Sequence, residues 1–313
     1  MARLVFMGTP AFAVPALEAL LAAGHDVLAV VTQPDRPSGR GQQLQPCPVK
    51  ARALEAGLEV LQPERLRRDE AVKARLQDLA ADAFIVVAFG QLLPPEVLAM
   101  PAHGCLNIHG SLLPRHRGAA PVARAIMAGD AESGISLMRL DEGMDTGPVI
   151  AEARTVIGAR ETAGQLADRL ALLGADLLVR ELGPWLAGAR PEQPQDEARA
   201  TLAPKLDKAE AEIDWSLAAT VLDARIRGLL PWPGARTRFA GLEIKVHAAQ
   251  PGDLSAGDAL PGTVVRVDAE GWWVACGTGT LRLSQVQVPG RKAMPAVEAA
   301  RGLPALVAGV RLG

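Results

Sequence analysis

The sequence predicts a parallel α/β domain followed by a small β-barrel, and three observations carry that prediction. Near the N-terminus an apolar strand, an Ala- and Leu-rich helix and a second apolar strand follow one another, which is the pattern of a βαβ unit. Residues 84–89, Phe-Ile-Val-Val-Ala-Phe, form a continuous apolar run of the kind a parallel strand needs when both its faces are covered. Beyond residue 187 the pattern turns into short β segments punctuated by Gly and Pro, as in a small barrel.

In chain order, residues 3–7 read as the first strand and Gly8-Thr9-Pro10 as the turn into a helix ending near Gly24. Residues 26–32 are the next strand, followed by a loop over 33–48 rich in Pro, Gly and Arg. Helical periodicity spans 69–79, and strands are expected at 84–89, 106–109 and 135–140. A long amphipathic helix over 162–186 closes the first unit. Gly188, Pro191, Pro194 and Pro204, set among polar residues, then mark a linker. A short helix over 216–229 precedes strands at 235–239, 242–249, 262–267, 272–275 and 280–288, a spacing that fits the oligonucleotide-binding type of barrel. The expected organisation is therefore a catalytic domain over 1–187, a linker over 188–207 and a β-barrel domain over 208–313.

Composition narrows the function classes. A net charge of −2 provides no global positive field for nucleic acid, although a local basic patch remains compatible with it. The three cysteines, Cys47, Cys105 and Cys276, are far apart and form no Cys-x-x-Cys, which argues against a disulfide framework and a zinc site and fits a reducing cytosol. The apolar stretch over 14–23 is broken by Pro15 and Glu18, and no run approaches the roughly 20 apolar residues a membrane span requires. The expectation is a soluble, cytoplasmic monomer without metal.

The chemistry concentrates in Gly104-Cys-Leu-Asn-Ile-His-Gly-Ser-Leu-Leu-Pro114. On a strand, Asn107 and His109 point to the same face, so an amide donor stands beside a proton-transfer group. That pairing suits a reaction through an oxyanion, with Asn107 donating to it and His109 as acid and base. An Asn satisfying turn backbone and a structural His are the plainer alternatives, and each is weakened by the other's presence. Asp145, in Asp141-Glu-Gly-Met-Asp-Thr-Gly147, could orient His109, or simply form a turn. Its Asp-Thr-Gly matches an aspartic protease signature, but that chemistry needs two such carboxylates and the chain has one copy. Gly8-Thr9-Pro10 lacks the Gly-x-Gly-x-x-Gly fingerprint, and no Walker loop is present, which disfavours hydride transfer and ATP-driven chemistry. Arg36 and Arg40 lie in the 33–48 loop, and Arg115 and Arg117 flank His116; each is either a phosphate contact or a surface charge.

Taken together these segments closely resemble the methionyl-tRNA formyltransferase family, within the wider superfamily of formyltetrahydrofolate transferases and hydrolases. The resemblance runs nearly end to end. It rests on Phe6-Met-Gly-Thr-Pro10, Thr32-Gln-Pro-Asp-Arg-Pro-Ser-Gly-Arg-Gly41, Pro48-Val-Lys50 and Asn107-Ile-His-Gly-Ser-Leu-Leu-Pro114. Arg117-Gly-Ala-Ala-Pro121, Asp145-Thr-Gly147, Ile213-Asp-Trp-Ser216 and Pro231-Trp-Pro233 extend it. It implies a Rossmann-like parallel sheet as the catalytic domain, with Asn107, His109 and Asp145 as the catalytic trio. It implies 10-formyltetrahydrofolate as co-substrate, held by Ser111, Leu112, Leu113 and Pro114 and by Phe89, Gly90 and Leu92. The implied acceptor is the α-amine of methionyl initiator tRNA, with Arg36, Arg40 and Lys205 as RNA contacts. Two positions depart from the family pattern: His116 stands where an aromatic residue is common, and Gln42-Gln43 replaces an expected basic pair.

Rival readings share the trio: a formyltransferase acting on a small amine, or a formyltetrahydrofolate hydrolase. The Arg36/Arg40 loop and the whole β domain favour a macromolecular acceptor over either. An RNA-binding protein without catalysis is disfavoured by the intact trio and by a barrel whose aromatic pair is only Trp272 and Trp273.

Overall fold

The computed structural model describes residues 1–38 and 43–313, without the side chains of Ser38 and Gln43. Two compact units form: Met1–Pro121, Glu132–Val156 and Ala167–Pro204 make the first, and Val122–Ala131, Ile157–Leu166 and Lys205–Gly313 the second.

In chain order the strands of the first unit are β1 (Arg3–Gly8), β2 (Asp26–Val31), β3 (Arg36–Ser38), β4 (Gln43–Gln45), β5 (Val60–Leu61), β6 (Ala83–Val87), β7 (Cys105–His109), β8 (Glu132–Arg139) and β9 (Val149–Val156). Its helices include α1 (Val14–Ala22), α2 (Pro48–Glu55), α3 (Glu70–Asp78), α4 (Pro95–Leu98) and most of α6 (Ala163–Leu186), which follows α5 (Pro121–Met127). Seven strands make one sheet in the order β5-β2-β1-β6-β7-β8-β9. From β5 to β7 every pairing is parallel. The apolar runs predicted this: β6 and β7 are buried along their whole length, and β1 from Leu4 onward.

Beyond β7 the sheet turns antiparallel, through β8 and then β9. Only residues 140–148 separate these two strands, too few for the helical crossover a parallel pair requires. The sheet is thus a mixed one, a parallel body with an antiparallel edge.

Local signals behave as their chemistry dictates. Pro15 sits in the first turn of α1, where a missing N–H costs nothing. Gly24, at φ +75°, ends that helix. There Gly24 N donates to Leu21 O and His25 N to Leu20 O, the two bonds of a Schellman motif. Asp69 caps α3 by accepting from Val72 N at 3.1 Å.

The second unit holds α7 (Ala219–Gly228), the strands β10 (Ala235–Phe239), β11 (Leu242–Gly252), β12 (Val264–Asp268), β13 (Gly271–Ala275), β14 (Thr280–Gln287) and β15 (Met294–Pro295), and then α8 (Ala296–Arg301). The strands form an antiparallel sheet in the order β10-β11-β14-β13-β12, with β15 added on β14. Ala240 and Gly241, both at positive φ, make the two-residue turn from β10 to β11, the geometry that matches strand twist. Trp272 is fully buried at the centre of a core that includes Leu222 and Ile226 of α7, and its indole N–H donates to Ala296 O at 2.7 Å.

Candidate active site

Asn107 and His109 lie on β7 at the junction between the parallel and antiparallel parts of the sheet, opposite Met138 and Ser136 of β8. Both are buried. Ile108 between them faces the other way, toward α6. A Cβ on Gly174 would stand 2.8 Å from Ile108 Cγ2, so that glycine lets the helix sit close against the strand. The Asn107 amide makes no hydrogen bond to any other described residue, and although the residue as a whole is buried, its amide atoms are not among the buried polar atoms left without a partner, so they keep access to solvent. An amide that meets solvent rather than a protein partner has its N–H donors available to a bound group.

His109 has a partner on each nitrogen. Nε2 is 2.9 Å from the carbonyl oxygen of His116, and Nδ1 is 3.6 Å from Asp145 Oδ2. A carbonyl only accepts, so Nε2 carries a hydrogen. Burial pushes the imidazole below its ordinary value, against the opposing pull of the Asp145 carboxylate and of the His116 carbonyl. The ring is therefore neutral at rest, with a lone pair on Nδ1 that faces Asp145. Asp145 is itself held: Gly118 N donates to the same Oδ2 at 2.8 Å, and the residue sits at φ +54°.

The turn after β7 is braced from β8. Ser136 Oγ donates to Ser111 O at 2.8 Å and accepts from Leu113 N at 2.9 Å. Ser111 Oγ donates to Arg115 O at 2.6 Å. Ser111, Leu113 and Pro114 are buried and Leu112 is half-buried, lying over Gly134, where a Cβ would come within 2.5 Å of Leu112 Cδ2.

Arg117, read from the sequence as a phosphate contact or a surface charge, is not a surface charge. Its side chain is 6% exposed and forms a two-pronged ion pair with Glu197, at 2.7 and 2.8 Å. The segment read as a linker thus packs onto the site loop. Thr201 Oγ1 accepts from His116 N, Thr201 O accepts from Arg117 N, and Arg117 O accepts from Ala203 N. These partners are some 80 residues from the loop in sequence, so no local pattern announces them. Gln195 adds four more bonds, two to Arg117 and two to the Asp145 turn.

Comparison with known families settles what kind of chain carries this geometry. The family described as formyl transferase matches residues 2–182, and the formyl transferase C-terminal domain matches residues 205–304. The methionyl-tRNA formyltransferase of Acidiphilium cryptum is 50% identical over 311 residues, covering 99% of this chain and all of the relative. That of Ruegeria pomeroyi is 51% identical over 302 residues, covering 96% of this chain and 97% of the relative. The chain belongs to the methionyl-tRNA formyltransferase family.

Solved structures share the formyltransferase fold at lower identity. HypX from Aquifex aeolicus, solved with tetrahydrofolic acid, aligns at a TM-score of 0.64 and 17% identity over 98% of this chain; the chain spans 48% of HypX, about half its length. An N-formyltransferase from Helicobacter canadensis, solved with folinic acid and dTDP-3-aminofucose, aligns at 0.68 and 16% identity, covering 90% of this chain and 99% of that one.

The remaining expected positions of this methionyl-tRNA formyltransferase family member are placed as follows. Phe89 has its ring in the core, while its carbonyl oxygen accepts from Thr9 Oγ1 and Gln33 Nε2. Gly90 adopts φ +84°, and Leu92 is 78% exposed. Arg36 is exposed on β3, and Lys205 is exposed in the second unit. Arg40 lies outside the described residues, as does Gln42. Below Arg36, Lys50 Nζ contacts Asp35 Oδ2 and Gln62 Oε1, each at 2.6 Å, and Gln62 Nε2 donates to Asp35 Oδ1 and Gln33 O. Lys50 and Asp35 anchor the loop's base, a role that sequence reasoning missed. Both belonged to quoted motifs, which was the available signal.

Among the described residues no three His, Cys, Asp or Glu side chains group as metal ligands, and no helix is long and apolar enough to cross a membrane. Burial pushes the Cys105 and Cys276 thiols up to about 12, which leaves neither as a nucleophile at neutral pH.

Proposed function

We propose that this chain transfers the formyl group of 10-formyltetrahydrofolate to the α-amine of methionyl initiator tRNA, for translation initiation. The observation that carries the reading is the Asn107 amide, without a hydrogen bond among the described residues and still reachable by solvent, on the same strand face as His109 with its Asp145 partner. It stands in a chain half identical, over nearly its full length, to proteins named for that activity.

The neutral amine of the esterified methionine attacks the formyl carbon on N10 of the folate. Charge develops on the formyl oxygen, and the Asn107 N–H donors are available to it. The unprotonated Nδ1 of His109 takes the proton lost by the amine as the new C–N bond forms, directly or through a water. Asp145 stabilises the resulting imidazolium. Collapse of the tetrahedral intermediate breaks the bond to N10, which receives the proton, leaving tetrahydrofolate and the formamide. The backbone of Ser111–Leu113, held rigid by Ser136, offers a wall for the donor. Arg36, Arg40 and Lys205 supply phosphate contacts for the RNA.

The test is to incubate the protein with donor radiolabelled in the formyl group. Label in methionyl-tRNA supports the proposal. Label recovered only in free formate, or only in a small amine, would replace it with the hydrolase or the small-acceptor reading.

A further inference from the structure

Gln195 comes from a Pro-rich stretch with no catalytic motif, yet it joins the two loops that hold His109 in place. Its Nε2 donates to the carbonyl oxygens of Asp145 and Gly147, at 2.8 and 2.7 Å. Its Oε1 accepts from Nε and Nη2 of Arg117, at 3.0 and 2.9 Å. One carboxamide thereby uses all the hydrogen-bonding capacity it has. Two residues up the chain, Gln193 pairs with Val149 through two backbone bonds and fixes where Gln195 enters.

What those bonds hold matters for the ring. Asp145 and His116 both sit at positive φ, +54° and +58°, a conformation that non-glycine residues keep only when their surroundings impose it. Asp145 presents its carboxylate to Nδ1 of His109, and His116 presents its carbonyl to Nε2. Gln195 grips the first turn directly and the second loop through Arg117, whose other prongs go to Glu197.

We propose that Gln195 is a positioning residue for formyl transfer, holding the Asp145 carboxylate at the His109 ring through its two N–H donors. The proposal rests on the reading that Asn107, His109 and Asp145 carry the reaction. The charged and polar groups that bear on the imidazole are Asp145 and the His116 backbone, and Arg117 in turn faces Glu197, Asp141 and Asp145.

The experiment uses the full chain, with two variants. Gln195→Glu keeps an acceptor for Arg117 and loses both donors to the Asp145 turn. Gln195→Met loses every bond without adding charge. For both, kcat should fall by up to about 100-fold, as expected when reacting groups shift by an ångström, with little change in KM for donor or acceptor. In Gln195→Met the His109 imidazole, followed by NMR and assigned with His109→Asn, should titrate at lower pH than in the wild type. Wild-type kcat in Gln195→Glu would overturn the proposal. So would a fall in kcat with an unmoved His109 titration, which is the mark of general loosening. The titration needs no substrate, so it reads the positioning role even if the acceptor is misassigned. Undiminished turnover in folded His109→Asn would instead sink the catalytic reading.

Discussion

His109 Nε2 and the carbonyl oxygen of His116 lie 2.9 Å apart, and that contact decides the tautomer of the ring. With the hydrogen committed to Nε2, the nitrogen that exchanges protons is Nδ1, on the Asp145 side. Asp145 cannot receive a hydrogen bond from the resting ring; it acts only once the ring is charged. The arrangement therefore favours the imidazolium in a reaction intermediate and the neutral ring at rest.

Because burial lowers His109 below its ordinary value of 6.5, the unfolded chain binds this proton more readily than the folded one. The associated stability is fully present above the unfolded value and is lost as pH falls below it. Wild type and His109→Asn should thus differ by a constant unfolding free energy above about pH 6.5. Below that, the wild type should lose ground to the variant. Denaturant unfolding across this range checks it, and parallel curves would contradict the depressed imidazole.

Asn107→Ala should cost about 100- to 1000-fold in kcat, the typical loss when an oxyanion donor is removed. It should cost little stability, because the side chain makes no hydrogen bond among the described residues for the substitution to remove. Single-turnover rates and unfolding midpoints measured on the same preparation check both halves. A destabilised variant would mean that the amide is structural.

Gly134→Ala should be destabilising and should act on the donor side of the reaction. The new Cβ would stand 2.3 Å from the backbone oxygen of Ala153, which cannot move aside cheaply, and 2.5 Å from Leu112. Overpacking of this kind costs about 1–3 kcal/mol. Since Leu112 belongs to the proposed folate segment, KM for the donor should rise more than KM for the acceptor. Equal changes in the two would separate Leu112 from folate binding.

Arg36→Ala should weaken tRNA binding while leaving folate binding alone. Arg36 is exposed on a hairpin strand whose base is tied down by Lys50, Asp35 and Gln62. If it pairs with one phosphate, its loss should reduce the slope of log affinity against log salt by about 1. A binding titration over several salt concentrations reads this, and an unchanged slope would remove Arg36 from the interface.

The legible part of the site was the part made by one strand. Asn107 and His109 share a face because side chains alternate along β7, and polar groups stand out in an otherwise buried apolar run. Strand β9 escaped notice because most of its residues are only half-buried, so its pattern never rises above that of a loop. Arg117 looked like a surface charge for a related reason: local sequence shows the charge and not the carboxylate that neutralises it. Glu197 and Gln195 are distant in sequence and lie in a stretch whose Pro and Gly content says only that it is irregular.

Local periodicity, turn chemistry and motif spacing were enough to establish the α/β and β units, the shared face of Asn107 and His109 and the family resemblance, since each depends on residues a few positions apart. The tautomer of His109, the lack of a hydrogen-bond partner for Asn107 among the described residues and the bracing of the Asp145 turn by Gln195 depend on long-range contacts. Such contacts form when the chain buries its apolar runs and must then pair the polar groups carried inside with them. Which polar group meets which is a property of the packed fold, and it is there that a strand with an amide and an imidazole acquires the geometry of a site.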